Sequence, residues 1–234
     1  MKSQKMLGIA LSLLLFAACK KNTPLPDPIV EKPDPLELAG DSASYTIDGK
    51  LSIVNKVNSG GALNRQPNSK VDSIVKGYHY YISGDKDSVF YGRRYDIHDS
   101  EYDNTVSFFF LKKYHKNAME GNGILFPKNG IGLYSVGKYN YALDFGRDNS
   151  QNGVALEVRK LKEYYQTYGS DSWREPQVLK PDAQSQSTFE ITNLKKLKSG
   201  IYILEAKFSA TIFDRNFKPK KIENGYLRLR LGYF

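Results

Sequence analysis

The sequence predicts an all-β protein: an antiparallel β-sandwich of jelly-roll type, or a barrel, with one short helix at most. Three observations carry this. From Ser44 onward apolar residues recur with period two, which puts them on one face of an extended strand. Turn residues punctuate those runs, as in Ser59-Gly60-Gly61, Gly84-Asp85, Asn129-Gly130 and Asn224-Gly225,. The hydrophobic fraction of 40%, with 13% aromatic residues, is enough to build a core and is unlike a disordered chain,.

Taken in order, Tyr45 to Val57, Tyr78 to Ile82 and Ser88 to Tyr95 read as strands rich in β-branched and aromatic residues,. Val106, Phe108 and Phe110 show similar alternation, as do Val154, Leu156 and Val158. A short helix is expected around Leu161 to Tyr168. Thr188 to Thr192 reads as a strand. The clearest run is Tyr202, Leu204, Ala206, Phe208, Ala210 and Ile212, with Glu205, Lys207, Ser209 and Thr211 on the opposite face. A turn holding Asp214, Asn216 and Pro219 follows. Leu227, Leu229 and Leu231 then alternate with Tyr226, Arg228 and Arg230, which completes a hairpin signature,. Asn58 to Lys70 and Tyr164 to Ser187 lack periodicity and read as long loops, which in a compact domain are functional or mobile. There is no internal repeat of constant period.

The N-terminus carries a different signal. Lys2 and Lys5 precede the apolar stretch Met6 to Phe16, which is too short to span a bilayer and has the build of a secretory leader,. Ala17-Ala18-Cys19 follows at once, and Cys19 is the sole cysteine of the 234 residues. No thiol is left for a disulfide in the fold. Beyond it lies Lys20-Lys21-Asn22, and five prolines fall between Pro24 and Pro35. That density excludes a helix or a central strand and favours an extended tether. The expected organisation is therefore a leader over residues 1–18, an anchor and tether over 19–38, and a single all-β domain over 39–234, a size ordinary for one β domain.

Ala17, Ala18 and Cys19 resemble the lipobox of bacterial lipoproteins, Leu-(Ala/Ser)-(Gly/Ala)-Cys, with Phe16 standing where Leu is usual. The resemblance implies cleavage before Cys19, its lipidation, and anchoring by acyl chains, each buried methylene contributing about 0.8 kcal/mol. The likeness widens with Tyr45-Thr-Ile-Asp-Gly-Lys50, Phe189-Glu-Ile-Thr192, the run from Ala206 to Asp214, and Ile222-Glu-Asn-Gly225. These are similar to the small β-rich lipoproteins of Bacteroidota-type bacteria, a largely uncharacterised group. That likeness implies an outer-membrane, cell-envelope location and supplies no catalytic residues. It leaves the facing direction open. Lys20-Lys21-Asn22 lacks the acidic run associated with surface export, which leans the expectation towards the periplasmic side.

The formal charge is +9, of which Lys2 and Lys5 would leave with the leader. The excess reads as a solvated basic surface, or as attraction to anionic headgroups or acidic glycans. Nucleic acid is not an expected partner, because the basic residues are scattered. Gly132-Leu-Tyr-Ser-Val-Gly137-Lys138 matches G-x-x-x-x-G-K, but Tyr139 stands where Ser or Thr should hold magnesium, and no helix is expected after it. There is no G-x-S-x-G, and no cofactor is expected. His79 falls in an aromatic strand and His115 among lysines.

Two clusters remain. Asp96, Asp99, Glu101 and Asp103, with His98 among them, are weak candidates for calcium or zinc, although they lack the Asp-x-Asp-x-Asp-Gly spacing and read equally as an acidic hairpin loop. Tyr164, Tyr165, Tyr168 and Trp173, with Asp171 and Arg174, are the candidate ligand site. Aromatic faces could stack on sugar rings while the charged pair bonds hydroxyls. The alternative is that these tyrosines only cover a sheet. The expected function is a membrane-anchored, non-catalytic binding or accessory module for glycan or peptide. Alternatives are an envelope hydrolase using Asp99, Glu101 and His98, or a structural subunit of a surface assembly.

Overall fold

Alternation becomes pairing first in β1 (Ser42–Ile47) and β2 (Lys50–Val54), which form a hairpin. Asp48 and Gly49 make its two-residue turn with φ of 51° and 73°, the left-handed geometry that hairpin twist demands and that Asp-Gly supplies. The structure is a computed structural model that describes residues 34–68, 70–75, 78–82, 84–169 and 179–232, those at 57–59 and 70–82 by backbone alone. From Pro35 onward the chain is one compact unit.

After Asn55 the chain continues as β3 (Lys56–Arg65), then as a small separate ribbon of β4 (Lys70–Val75) and β5 (Tyr78–Ile82). The long hairpin β6 (Ser88–His98) and β7 (Asn104–His115) comes next. Short pieces follow: β8 (Met119–Glu120) pairs with β9 (Phe126–Pro127), and β10 (Gly137–Tyr139) stands alone in sequence. The rest is β11 (Gly153–Lys160), β12 (Glu163–Gln166), β13 (Thr188–Lys196), β14 (Tyr202–Phe213) and β15 (Pro219–Leu231).

The main sheet runs β2-β1-β15-β14-β12-β11-β7-β6-β3, with β13 joined to β14 and β10 to β13. It is antiparallel and curls into a half-barrel, the barrel-like of the two expected architectures. The curl has a visible cause. Asn55 carries the chain straight from β2 to β3, and its N–H donates to His98 O at 3.2 Å, so both ends of the strand order meet at one corner. β14 is the hub: β15 pairs along one edge, while β13 and then β12 share the other.

Inside the curl, period-two residues from every long strand converge. Tyr45, Phe108, Phe110, Phe189, Leu204 and Ile222 are among its fully buried side chains. Phe108 packs edge-on against Phe208, with ring centroids 5.3 Å apart, and Phe110 against Phe189 at 5.8 Å. On the outer face of β6, β7 and β11 a second, smaller cluster forms. Phe90, Phe109, Leu111 and Ala155 are covered there by Ala142, Phe145 and Tyr168. Both faces of β7 and β11 are thus apolar over part of their length, beyond the one-sided alternation expected of them,.

Three expectations are corrected. The stretch Leu161 to Tyr168 is not helical: Leu161 and Lys162 form a tight turn, with Leu161 at φ 55°, and β12 returns along β11. Pairing with β11 decides the matter, putting Tyr165 inward and Tyr164 and Gln166 outward, a period of two that four residues were too few to reveal. Asn58 to Lys70 is mostly strand, because β6 offers β3 a full ladder despite Gly60 and Gly61,. Lastly, Pro35–Leu38 at the end of the expected tether forms one helical turn, α1, with proline in the first position where its missing N–H is harmless,. Arg230 Nη1 donates to Glu37 O (2.8 Å) and Ala39 O (3.1 Å), and Glu37 accepts from Ser199 Oγ (2.8 Å). These bonds dock the start of the domain onto β15.

One glycine tests the β14–β15 register. A Cβ at Gly225 would lie 2.5 Å from Phe208 O and 2.6 Å from its ring, whereas one at Gly61 would meet nothing within 4 Å. Gly225→Ala should therefore lower stability by about 1–3 kcal/mol, while Gly61→Ala changes it by under about 0.5 kcal/mol. Urea unfolding monitored by fluorescence measures both.

Candidate functional site

On β6 the inward positions are Val89, Tyr91, Arg93, Tyr95 and Ile97. Four of the five are buried hydrophobic residues and the fifth is a guanidinium. Arg93 faces Phe110 across β7 and Ala62 across β3. Its surroundings are phenols: the Tyr95 and Tyr91 hydroxyls are its side-chain partners, and Tyr134 stands close by. Burial opposes its charge, and those hydroxyls more than offset the penalty. They are dipoles at neutral pH, since burial pushes Tyr91 above the ordinary phenol value and Tyr134 far above it. Among the described residues, the buried Arg93 Nε has no hydrogen-bond partner. A planar fork of five donors is thus only partly used.

Sequence-local devices hold the phenols. Asn129 caps a short 3-10 turn, Gly130–Leu133, its side chain accepting from Gly132 N–H at 3.2 Å, and this delivers Tyr134 inward. Tyr134 and Tyr95 then share a 2.6 Å hydroxyl contact. The G-x-x-x-x-G-K run is therefore a 3-10 turn followed by β10, without the helix that a phosphate loop needs.

Beside Arg93 a cavity of about 600 Å³ opens, lined by Tyr91, Phe126, Pro127, Glu120 and Lys128 together with the guanidinium. That volume suits a small molecule. The β8–β9 hairpin makes its outer wall. Asn64 of β3 fixes the hairpin as a strand partner would, its amide donating to Leu125 O (2.9 Å) and accepting from Leu125 N–H (2.6 Å). Phe126 stays 41% exposed and packs edge-on to Tyr91 at 6.2 Å. At the same end, the Tyr114 hydroxyl is also buried with no hydrogen-bond partner among the described residues, and burial pushes it up to about 12.

The residues singled out in sequence lie elsewhere. Tyr165 and Tyr168 are buried, at 5% and 4% exposure, so neither offers an open face for stacking. Tyr165 belongs to the inner core, with Lys220 Nζ over its ring at 5.0 Å. Tyr168 and Tyr164 sit on the outer face around Glu157. Tyr168 donates to Glu157 Oε1 at 2.5 Å, and burial followed by that carboxylate drives its hydroxyl far above the ordinary range. Asp171, Trp173 and Arg174 lie outside the described residues, as does Cys19.

The acidic cluster is dispersed by the β6–β7 hairpin. Asp96 joins the outer face, bound by Arg94 Nε at 2.7 Å and Ser107 Oγ at 2.5 Å. Asp99 caps the turn, accepting from Asp103 N–H, Asn104 N–H and Asn104 Nδ2. Slight burial opposes its charge, but those bonds outweigh it and hold its carboxyl below the usual range. His98 stacks on Tyr102 at 3.8 Å, with Nδ1 against Asp99 O. Glu101 and Asp103 are exposed in the loop. Among the described residues no three His, Cys, Asp or Glu side chains gather as a metal site. His115 caps the 3-10 turn after β7 and accepts from Asn117 N–H, while the side chain of His79 lies outside the described residues.

Sequence reading passed over Arg93, yet the signal was present. In the Ser88–His98 run it is the one charge on the apolar parity, where a buried cation needs a partner.

No protein-family model matches this sequence, and no curated protein or solved structure matches it significantly. Fold and site therefore rest on the chain's own geometry.

Because the phenol hydroxyls more than offset the burial of its charge, Arg93 contributes to stability. Arg93→Met removes the partner of the Tyr91 and Tyr95 hydroxyls, so it should destabilise the ligand-free protein by about 1 kcal/mol. Tyr168→Phe, which strips a donor from buried Glu157, should destabilise it by about 1–3 kcal/mol. Thermal denaturation in the absence of added ligand measures both.

Proposed function

We propose that this chain is a membrane-anchored, non-catalytic binding or accessory module of the bacterial envelope, held through lipidated Cys19 at the outer membrane. Its ligand is taken at the Arg93 cavity. The observation that carries the binding role is the cavity itself: a half-buried guanidinium set beside aromatic walls. The anchor reading rests on Ala17-Ala18-Cys19 after the apolar leader and on the prolines that follow. Among the described residues no helix is long and apolar enough to cross a membrane. The tether would meet the domain at α1, where Arg230 and Ser199 hold the incoming chain.

Growth with an alkyne-tagged fatty acid should label the wild-type protein and leave Cys19→Ala unlabelled. An unlabelled wild type, or a labelled variant, would contradict the anchor. For binding, saturation-transfer NMR with envelope glycans and peptides should show contact with at least one class, weakened by Phe126→Ala. Silence at millimolar concentration across the panel would contradict the module.

A further inference from the structure

We infer that the Arg93 cavity captures the carboxylate of a small monoanionic molecule whose body presents a flat apolar face. This rests on the binding-module reading and names its ligand chemistry. Arg93 lines the cavity as a cation beside neutral phenols, and a guanidinium matches the two oxygens of a carboxylate in a bidentate pair,. Tyr91 and Tyr95 are its existing side-chain partners. No described carboxylate pairs with it: the ion pairs of β6 belong to Arg94, which faces outward to Asp96 and Glu157.

Charge sets the valence. The lining carries two cations, Arg93 and Lys128, and one anion, Glu120. The surplus is a single positive charge, which suits a monoanion and penalises a phosphate dianion brought near Glu120. Lys112 stands outside the lining, its Nζ donating to Gly132 O at 3.0 Å. Shape sets the body. Tyr91, Phe126 and Pro127 form an apolar wall beside the cation, and Phe126 keeps ring surface open. A pyranose uronic acid lays its C–H face on such a ring, and an aromatic acid stacks on it. Both carry the same carboxylate. At the rim, Glu120 and Lys128 can bond the hydroxyls that only the sugar acid has.

The test is calorimetric titration of the full chain in detergent with glucuronate, glucuronamide, benzoate, benzamide and glucose phosphate. At least one acid should bind tenfold or more tighter than its own amide. Arg93→Gln should abolish that preference and Arg93→Lys should reduce it, since a point charge keeps attraction without the fork. The comparison of acid with amide in the wild type stands even if a variant misfolds, and near-UV circular dichroism checks each variant. Glucuronate above benzoate identifies a sugar acid, and the reverse identifies an aromatic acid; both support the inference. Equal binding of acid and amide, or tighter binding of the phosphate, overturns the carboxylate assignment and leaves the module intact. No binding by any of the five, with silence in the glycan and peptide panel, overturns both.

Discussion

Phe110 sits where two kinds of interior meet, and the rest of the molecule is arranged around that junction. On one side its ring packs edge-on to Phe189, which in turn lies against Phe208 and continues the hydrocarbon core. On the other it meets Tyr134 at 5.1 Å and Tyr95 at 6.1 Å, whose hydroxyls face Arg93. A curled sheet has to fill its concavity to native density or lose dispersion and transfer energy. Here phenylalanines fill one part. Where tyrosines take over, filling stops and a cavity begins.

This arrangement separates the work of the fold from that of the site. The β14 hub, with ladders on both edges, and the corner at Asn55 supply the cooperative framework. Arg93 is kept within it by the phenol hydroxyls that offset the burial of its charge,. The outer-face network differs in kind. Glu157 there is bonded by Tyr168 and flanked by Arg94, with its companion Asp96 satisfied by Ser107, so the polar groups complete one another. Satisfied networks stabilise a sheet face; at the cavity the Arg93 cation faces neutral phenols instead.

Much of the fold was legible in the sequence because strand period leaves a local trace. Tyr202 to Ile212 and Leu227 to Leu231 alternate cleanly, and the structure makes them β14 and β15. What escaped notice were segments whose conformation is set by a distant partner. β3 carries Gly60-Gly61 and becomes a strand because β6 is already there, and β12 is too short for any period to show. The site was legible only in part. Tyrosine clustering near residue 165 drew the eye to exposed platforms, but packing buried two of those rings. Arg93 left a subtler mark, a charge on the wrong parity. Its meaning depends on Tyr134 and Phe126, which lie more than thirty positions along the chain.

The central claim is that the Arg93 cation, at the wall of the cavity, receives a carboxylate. Nitrogen-15 NMR of the arginine Nε–Hε groups reads that guanidinium, with Arg93→Lys assigning the peak. On titration with glucuronate or benzoate, the Arg93 proton should move downfield and saturate, while the matching amide leaves it in place. An Arg93 signal that stays fixed as neighbouring cavity resonances shift would contradict the account.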